Sequence, residues 1–142
     1  MEKKKILLVD DDADFVEATK LILESKSYNV TVAYDGQEGL KKVQTEQPDL
    51  IILDVMMPEM DGYEMCARLK ADPRYNQIPI LLLTAVGETI PTSKYTKEMG
   101  MRTEADDYIP KPVEPMKLVE RVENLFRISS AKDLESGSSE PG

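Results

Sequence analysis

The chain has 142 residues, 41% hydrophobic and 32% charged, enough for one domain core and too few for two. Its net charge of −9 argues against nucleic acid as a direct partner, because phosphate backbones are gripped by Lys and Arg; a basic protein face or a metal cation is the better match. Histidine is absent and Cys66 is the one cysteine, which excludes a phosphohistidine carrier, a histidine-ligated zinc site and an internal disulfide.

Apolar runs and helical patterns alternate along the chain. Ile6–Val9 is the first strand, and Phe15, Ala18 and Ile22, with Leu21 beside them, space a helix ending near Lys26. Asn29–Ala33 is a second strand, followed by the turn signal Asp35-Gly36 and a helix that Pro48 stops near Gln47. Leu50–Leu53 is uniformly apolar, as strands buried on both faces are. Pro58 and Gly62 bracket a loop, Asp61 offers an N-cap, and a helix runs over Tyr63–Ala71 with Cys66 as a buried thiol inside it.

Ile80–Leu83 is the fourth strand, a short helix lies near Ser93–Met99, and Tyr108-Ile109 is the fifth strand. Met116, Val119, Val122 and Phe126 then mark a terminal amphipathic helix. Five strands alternating with five helices predict an α/β fold with a parallel sheet covered on both faces. From Ser129 the composition turns Ser- and Gly-rich, so a domain over residues 1–128 and a disordered tail or linker over 129–142 are expected. No apolar run approaches the roughly 20 residues of a membrane span. The basic start is followed by too short an apolar run for a signal peptide. A soluble, cytoplasmic protein without a membrane partner is expected.

Chemistry-bearing residues sit at the ends of these runs: Asp10-Asp11, Asp54, Thr84 and Lys111. In open α/β sheets ligands bind outside the carboxyl ends of the strands. A carboxylate such as Asp54 can act as a nucleophile for phosphoryl transfer. Asp10 and Asp11 beside it create a repulsion that protonation or a cation relieves, and hard oxygen donors suit Mg²⁺. Lys111 can pair with a carboxylate at rest and a phosphoryl oxygen after transfer, and Thr84 can donate a hydroxyl. Asp12 and Asp14 are read as a solvated turn with a helix-capping role. Each residue taken singly is equally an ordinary loop or strand-end residue; the combination is what points to a phosphoryl-handling site.

The chain resembles the receiver domains of two-component response regulators from about Lys4 to Arg127. The matching pieces are Ile6-Leu-Leu-Val-Asp-Asp-Asp12, Pro48-Asp-Leu-Ile-Ile-Leu-Asp54, Met57-Pro-Glu-Met-Asp-Gly62, Pro79-Ile-Leu-Leu-Leu-Thr-Ala85 and Ala105-Asp-Asp-Tyr-Ile-Pro-Lys-Pro112. The resemblance implies a flavodoxin-like, doubly wound (βα)5 fold with strand order 2-1-3-4-5. It implies that Asp54 accepts a phosphoryl group from a sensor histidine kinase or phosphotransfer protein, and that the domain catalyses its own phosphotransfer and dephosphorylation. Mg²⁺ would be held by Asp10, Asp11, Asp54 and the backbone carbonyl of Met56. Thr84 and Lys111 would contact the phosphoryl group, Tyr108 would be the aromatic that turns inward on activation, and a downstream protein would read the state. The Lys111-Pro112 bond would be cis. Two departures stand out: the segment between Thr84 and Lys111 is a few residues longer than usual, and Glu104 replaces a customary glycine.

Two other classes share parts of this pattern. Asp10-Asp11-Asp12 contains the Asp-x-Asp of haloacid dehalogenase-type phosphotransferases, but Asp14 stands where Thr or Val should follow. A receiver-like module that only binds partners would have no need of Asp10, Asp11, Asp54, Thr84 and Lys111 together.

Overall fold

The computed structural model describes residues 3–56, 62–84 and 105–139, with side chains described as far as residue 129. Strands β1 (Lys5–Val9), β2 (Asn29–Ala33), β3 (Leu50–Asp54), β4 (Ile80–Thr84) and β5 (Asp107–Pro110) form one parallel sheet of order β2-β1-β3-β4-β5. Helices α1 (Ala13–Ser25), α2 (Gly36–Glu46), α3 (Gly62–Ala71) and α4 (Pro115–Ser139) connect and cover it. This is the expected flavodoxin-like arrangement. The short helix expected near Ser93–Met99, the Asp61 cap and Glu104 lie outside the described residues.

The three central strands are apolar except for Lys5, Asp54 and Thr84 at their ends, because helices cover both sheet faces. Alternate residues split between two cores, as the two-residue period of a strand requires. Leu7, Val9, Ile51, Leu53 and Leu82 pack with Val43 of α2 and with Met65, Cys66 and Leu69 of α3. Ile6, Leu8, Ile52, Leu81 and Leu83 pack with Val16 and Leu23 of α1 and with Leu118, Val119 and Val122 of α4. The helix faces differ from the sequence reading by one residue. In α1 the buried positions are Val16, Thr19 and Leu23, while Phe15 and Ile22 are half-buried and Leu21 is 70% exposed. A 3.6-residue period lets two neighbouring phases share one broad apolar arc, and packing against β1 chooses between them. Met116 is likewise exposed, and Leu118 and Leu125 join the core in its place.

Helix ends follow local chemistry. Asp12 caps α1 through Phe15 N–H at 3.2 Å, and Asp35 caps α2 through Glu38 N–H at 2.8 Å. These oxygens satisfy amide donors that have no partner within the helix. Gln47, in the left-handed region at φ 50°, closes α2 ahead of Pro48. The terminal helix departs from expectation: it runs to Ser139, through residues read as linker. Ala131, Lys132, Leu134 and Glu135 are good helix formers, and propagating a helix already nucleated is far easier than starting one.

At the end of the sheet away from the strands' carboxyl ends, Lys70 ties α3 to the start of β5. Its ammonium donates to the carbonyls of Ile78 (2.8 Å) and Asn76 (3.2 Å) and to Asp106 Oδ2 (3.1 Å). That carboxylate also accepts from Ile80 N–H at 2.8 Å. All three ammonium hydrogens are thereby engaged, so this lysine serves structure.

Candidate functional site

The chain leaves β1 for β2 on one side, and β3 lies on the other, so the crevice above β1 and β3 is the topological switch point. Val9 pairs with Leu53 in register, which carries the next residues, Asp10 and Asp54, up side by side. Asp10 is fully buried and Asp54 is 2% exposed. Asp11, one residue further along the loop, is exposed. Carboxylate oxygens of the three lie within 4.8 Å of one another. Converging hard oxygen donors at a solvent edge are what a small divalent cation requires.

Lys111 answers this negative charge. Its amide donates to Thr84 O at 2.8 Å, which fixes the end of β5 against the end of β4, and the Lys111-Pro112 bond is cis. The ammonium lies 2.8 Å from Asp10 Oδ2 and 3.5 Å from Asp54 Oδ2. Burial acts to lower the lysine's pKa, but the two carboxylates outweigh it and hold the value above the ordinary one. Oδ2 of Asp10 accepts no well-aligned hydrogen bond from any described residue, so it depends on the cation facing it. The donor set therefore fits a metal ion: three carboxylates, one with a buried oxygen that, among the described residues, only the Lys111 ammonium faces.

Asp54 is the perturbed member. Burial drives its pKa up to about 6; the Met56 amide, donating to Oδ1 at 3.1 Å, pulls the other way, Asp10 raises it further and Lys111 lowers it. Met56 itself has an exposed side chain. Thr84 is 2% exposed at the last position of β4. Tyr108 lies opposite Leu82 on β5, half-buried against the core beneath α3. Burial raises its pKa, with Cys66 and Asp106 adding to the effect. The sheet thus brings Asp10, Asp11, Asp54, Thr84 and Lys111 to one end, with Tyr108 two residues back along β5 from that end.

Two supporting residues escaped sequence reasoning. Gly62 opens α3 so close to β3 that an added Cβ would collide with the Asp54 carbonyl oxygen, and would lie 2.7 Å from Val55 Cα. Its place in the Met57–Gly62 motif was the available signal, read there only as a loop boundary. Phe15, read as a core position, lies with its ring centroid 4.9 Å from Lys111 Nζ. No local pattern connects residues so far apart in the chain.

A family model described as the response regulator receiver domain matches residues 6–123. The chain belongs to that family. It is 44% identical over 126 residues to the alkaline phosphatase synthesis transcriptional regulatory protein PhoP of Bacillus subtilis (strain 168), covering 89% of this chain and 50% of that protein. To the DNA-binding dual master transcriptional regulator RpaA of Synechocystis sp. it is 39% identical over 123 residues, covering 87% of this chain and 49% of that one. Among solved structures, a CheY-like response regulator receiver domain protein from Methanospirillum hungatei JF-1 superposes with a TM-score of 0.79. It is 30% identical and covers 92% of this chain and 99% of the other.

The dehalogenase-type alternative falls with this membership. The chain spans about half the length of the curated relatives it matches. Net charge is accordingly no ground for excluding nucleic acid: it describes this stretch alone, whereas RpaA is DNA-binding by name. Among the described residues no helix is long and apolar enough to cross a membrane.

Proposed function

We propose that this receiver domain is switched by phosphorylation of Asp54. A carboxylate oxygen of Asp54 attacks the phosphorus of a phosphohistidine on a sensor kinase or phosphotransfer protein. The O–P bond forms as the P–N bond breaks, and the imidazole leaves with the bonding electron pair. Asp10, Asp11, Asp54 and the Met56 carbonyl would hold Mg²⁺, which when bound supplies positive charge to the phosphoryl oxygens. The Lys111 ammonium and the Thr84 hydroxyl take the remaining oxygens. The domain catalyses this transfer, and later its own dephosphorylation, by positioning and charge. Tyr108 turns inward as Thr84 moves toward the phosphoryl group, and a protein partner reads the change. Residues 1–128 form that switching unit, with 129–142 outside it, and the protein acts in the cytoplasm.

The observation that carries this reading is a buried carboxylate, Asp54, grouped with two further carboxylates and facing a lysine. A module that only binds partners has no reason to bear the cost of such a cluster. The test is incubation with Mg²⁺ and acetyl phosphate followed by mass spectrometry. The parent should gain a single phosphoryl group and Asp54→Asn none; equal labelling of the two would refute the assignment.

A further inference from the structure

Phe15 is the point at which α1 meets the site. Its ring centroid lies 4.9 Å from Lys111 Nζ, within the roughly 6 Å reach of a cation–π contact. Among the described residues the ammonium therefore has three charged or aromatic neighbours: Asp10 Oδ2 at 2.8 Å, Asp54 Oδ2 at 3.5 Å and this ring. The ring is tied to the same loop as the carboxylates. Asp12 N–H donates to Asp10 Oδ1 at 2.9 Å, and Phe15 N–H donates to Asp12 Oδ1 at 3.2 Å. Two hydrogen bonds thus link the backbone of Phe15 to the side chain of Asp10.

The two carboxylates and the ring differ in what happens to them during transfer. A divalent cation competes with the lysine for both carboxylates, and Asp54 changes its charge when phosphorylated. The ring is neutral and binds no hard cation in preference to oxygen. Of these three partners it is the one whose own charge neither metal binding nor phosphorylation changes.

We propose that Phe15 is a positioning residue for Lys111, holding the ammonium at the mouth of the site where the phosphoryl oxygens arrive. This rests on Asp54 being the phosphoacceptor. A competing account makes Phe15 a spacer, since it also borders an apolar cavity of about 150 Å³ shared with Ile22, Val113 and Leu118. A spacer acts on stability whether or not residue 111 is a lysine. A positioning residue acts only through that lysine.

The two accounts separate in a double-mutant cycle of Phe15→Leu, Lys111→Met and their combination, with Phe15→Tyr as the conservative control. Two quantities are read: the rate of labelling by acetyl phosphate at saturating Mg²⁺, and the affinity for beryllofluoride by fluorine NMR. Phe15→Leu should lower the saturating rate about three- to tenfold, with a smaller change in the Michaelis constant, and should weaken beryllofluoride to a similar degree. Phe15→Tyr should stay near the parent, and in the Lys111→Met background Phe15→Leu should add nothing. Equal losses from Phe15→Leu in both backgrounds, or a Tyr variant as slow as the Leu variant, would overturn the proposal and leave Asp54 as acceptor. A parent chain that takes no phosphoryl group at all would remove both.

Discussion

The Lys111 ammonium stands 2.8 Å from Oδ2 of Asp10, a carboxylate wholly shut off from solvent. A buried charge without a partner is strongly destabilising, and more so than the pair itself is stabilising. The lysine is a quarter exposed, which softens the effect. Lys111→Met should therefore cost about 1–3 kcal/mol in metal-free buffer, and Mg²⁺ should restore more stability to this variant than to the parent. Denaturant titrations with chelator and with Mg²⁺ give both numbers. An identical Mg²⁺ response in the two proteins would contradict the shared role of lysine and metal.

Asp54 predicts a pH dependence. Its folded pKa of about 6 lies above the ordinary 3.8, so the native state binds a proton more tightly than the unfolded chain. The stability from this group is fully present below 3.8 and is lost as pH rises to about 6. Asp54→Asn has no such loss. In the absence of metal it should be more stable than the parent above pH 6 by about 1–2 kcal/mol, below the full value of the shift because solvent at the site mouth screens part of it. The gap should close toward acid; parallel stability curves from pH 4 to 7 would rule this out.

Asp11 separates metal binding from folding. It is exposed yet belongs to the carboxylate cluster. Asp11→Ala should leave thermal stability without Mg²⁺ almost unchanged and weaken Mg²⁺ on the order of tenfold or more. Calorimetric titration checks this, and parent-like affinity would mean that Asp11 is only a solvated turn residue.

Gly62 tests how closely α3 must approach the site. An alanine there would drive its methyl group into the Asp54 and Val55 backbone. Gly62→Ala should lose about 1–3 kcal/mol, as overpacked sites do, and Mg²⁺ affinity should drop as Asp54 is displaced. Unchanged Mg²⁺ binding in a folded variant would show that β3 and its aspartate stay put.

Thr84 tests the coupling to Tyr108. The two lie on adjoining strands, Thr84 opposite Pro110 and Tyr108 opposite Leu82. Thr84→Ala should still take up a phosphoryl group while leaving Tyr108 uncoupled, since a ligand shifts a packing equilibrium only by its differential affinity for the two states. The comparison is of Tyr108 chemical shifts with and without beryllofluoride. Identical responses in parent and variant would exclude the coupling.

The apolar runs ending in Asp10, Asp54 and Thr84 made β1, β3 and β4 legible in the chain, because a strand covered on both faces must be apolar throughout. Lys111 beyond Ile109 was legible in the same way, and so was the crevice that gathers these residues, since parallel strands carry their carboxyl ends to one side. Other features belong to the tertiary structure. Whether α1 buries Phe15 or Val16 depends on its rotation against β1, because both phases fit one periodicity. How far α4 continues past residue 128 depends on a helix already nucleated, which Ala131, Lys132, Leu134 and Glu135 can extend. The pKa of Asp54 depends on burial and on the charges of Asp10 and Lys111 just beyond β1 and β5, and the need for glycine at 62 on how closely α3 passes β3. The Phe15 ring meets Lys111 only once α1 and the end of β5 are brought together. Local pattern determined which residues end strands; contacts between residues distant in the chain decided what each of those ends faces.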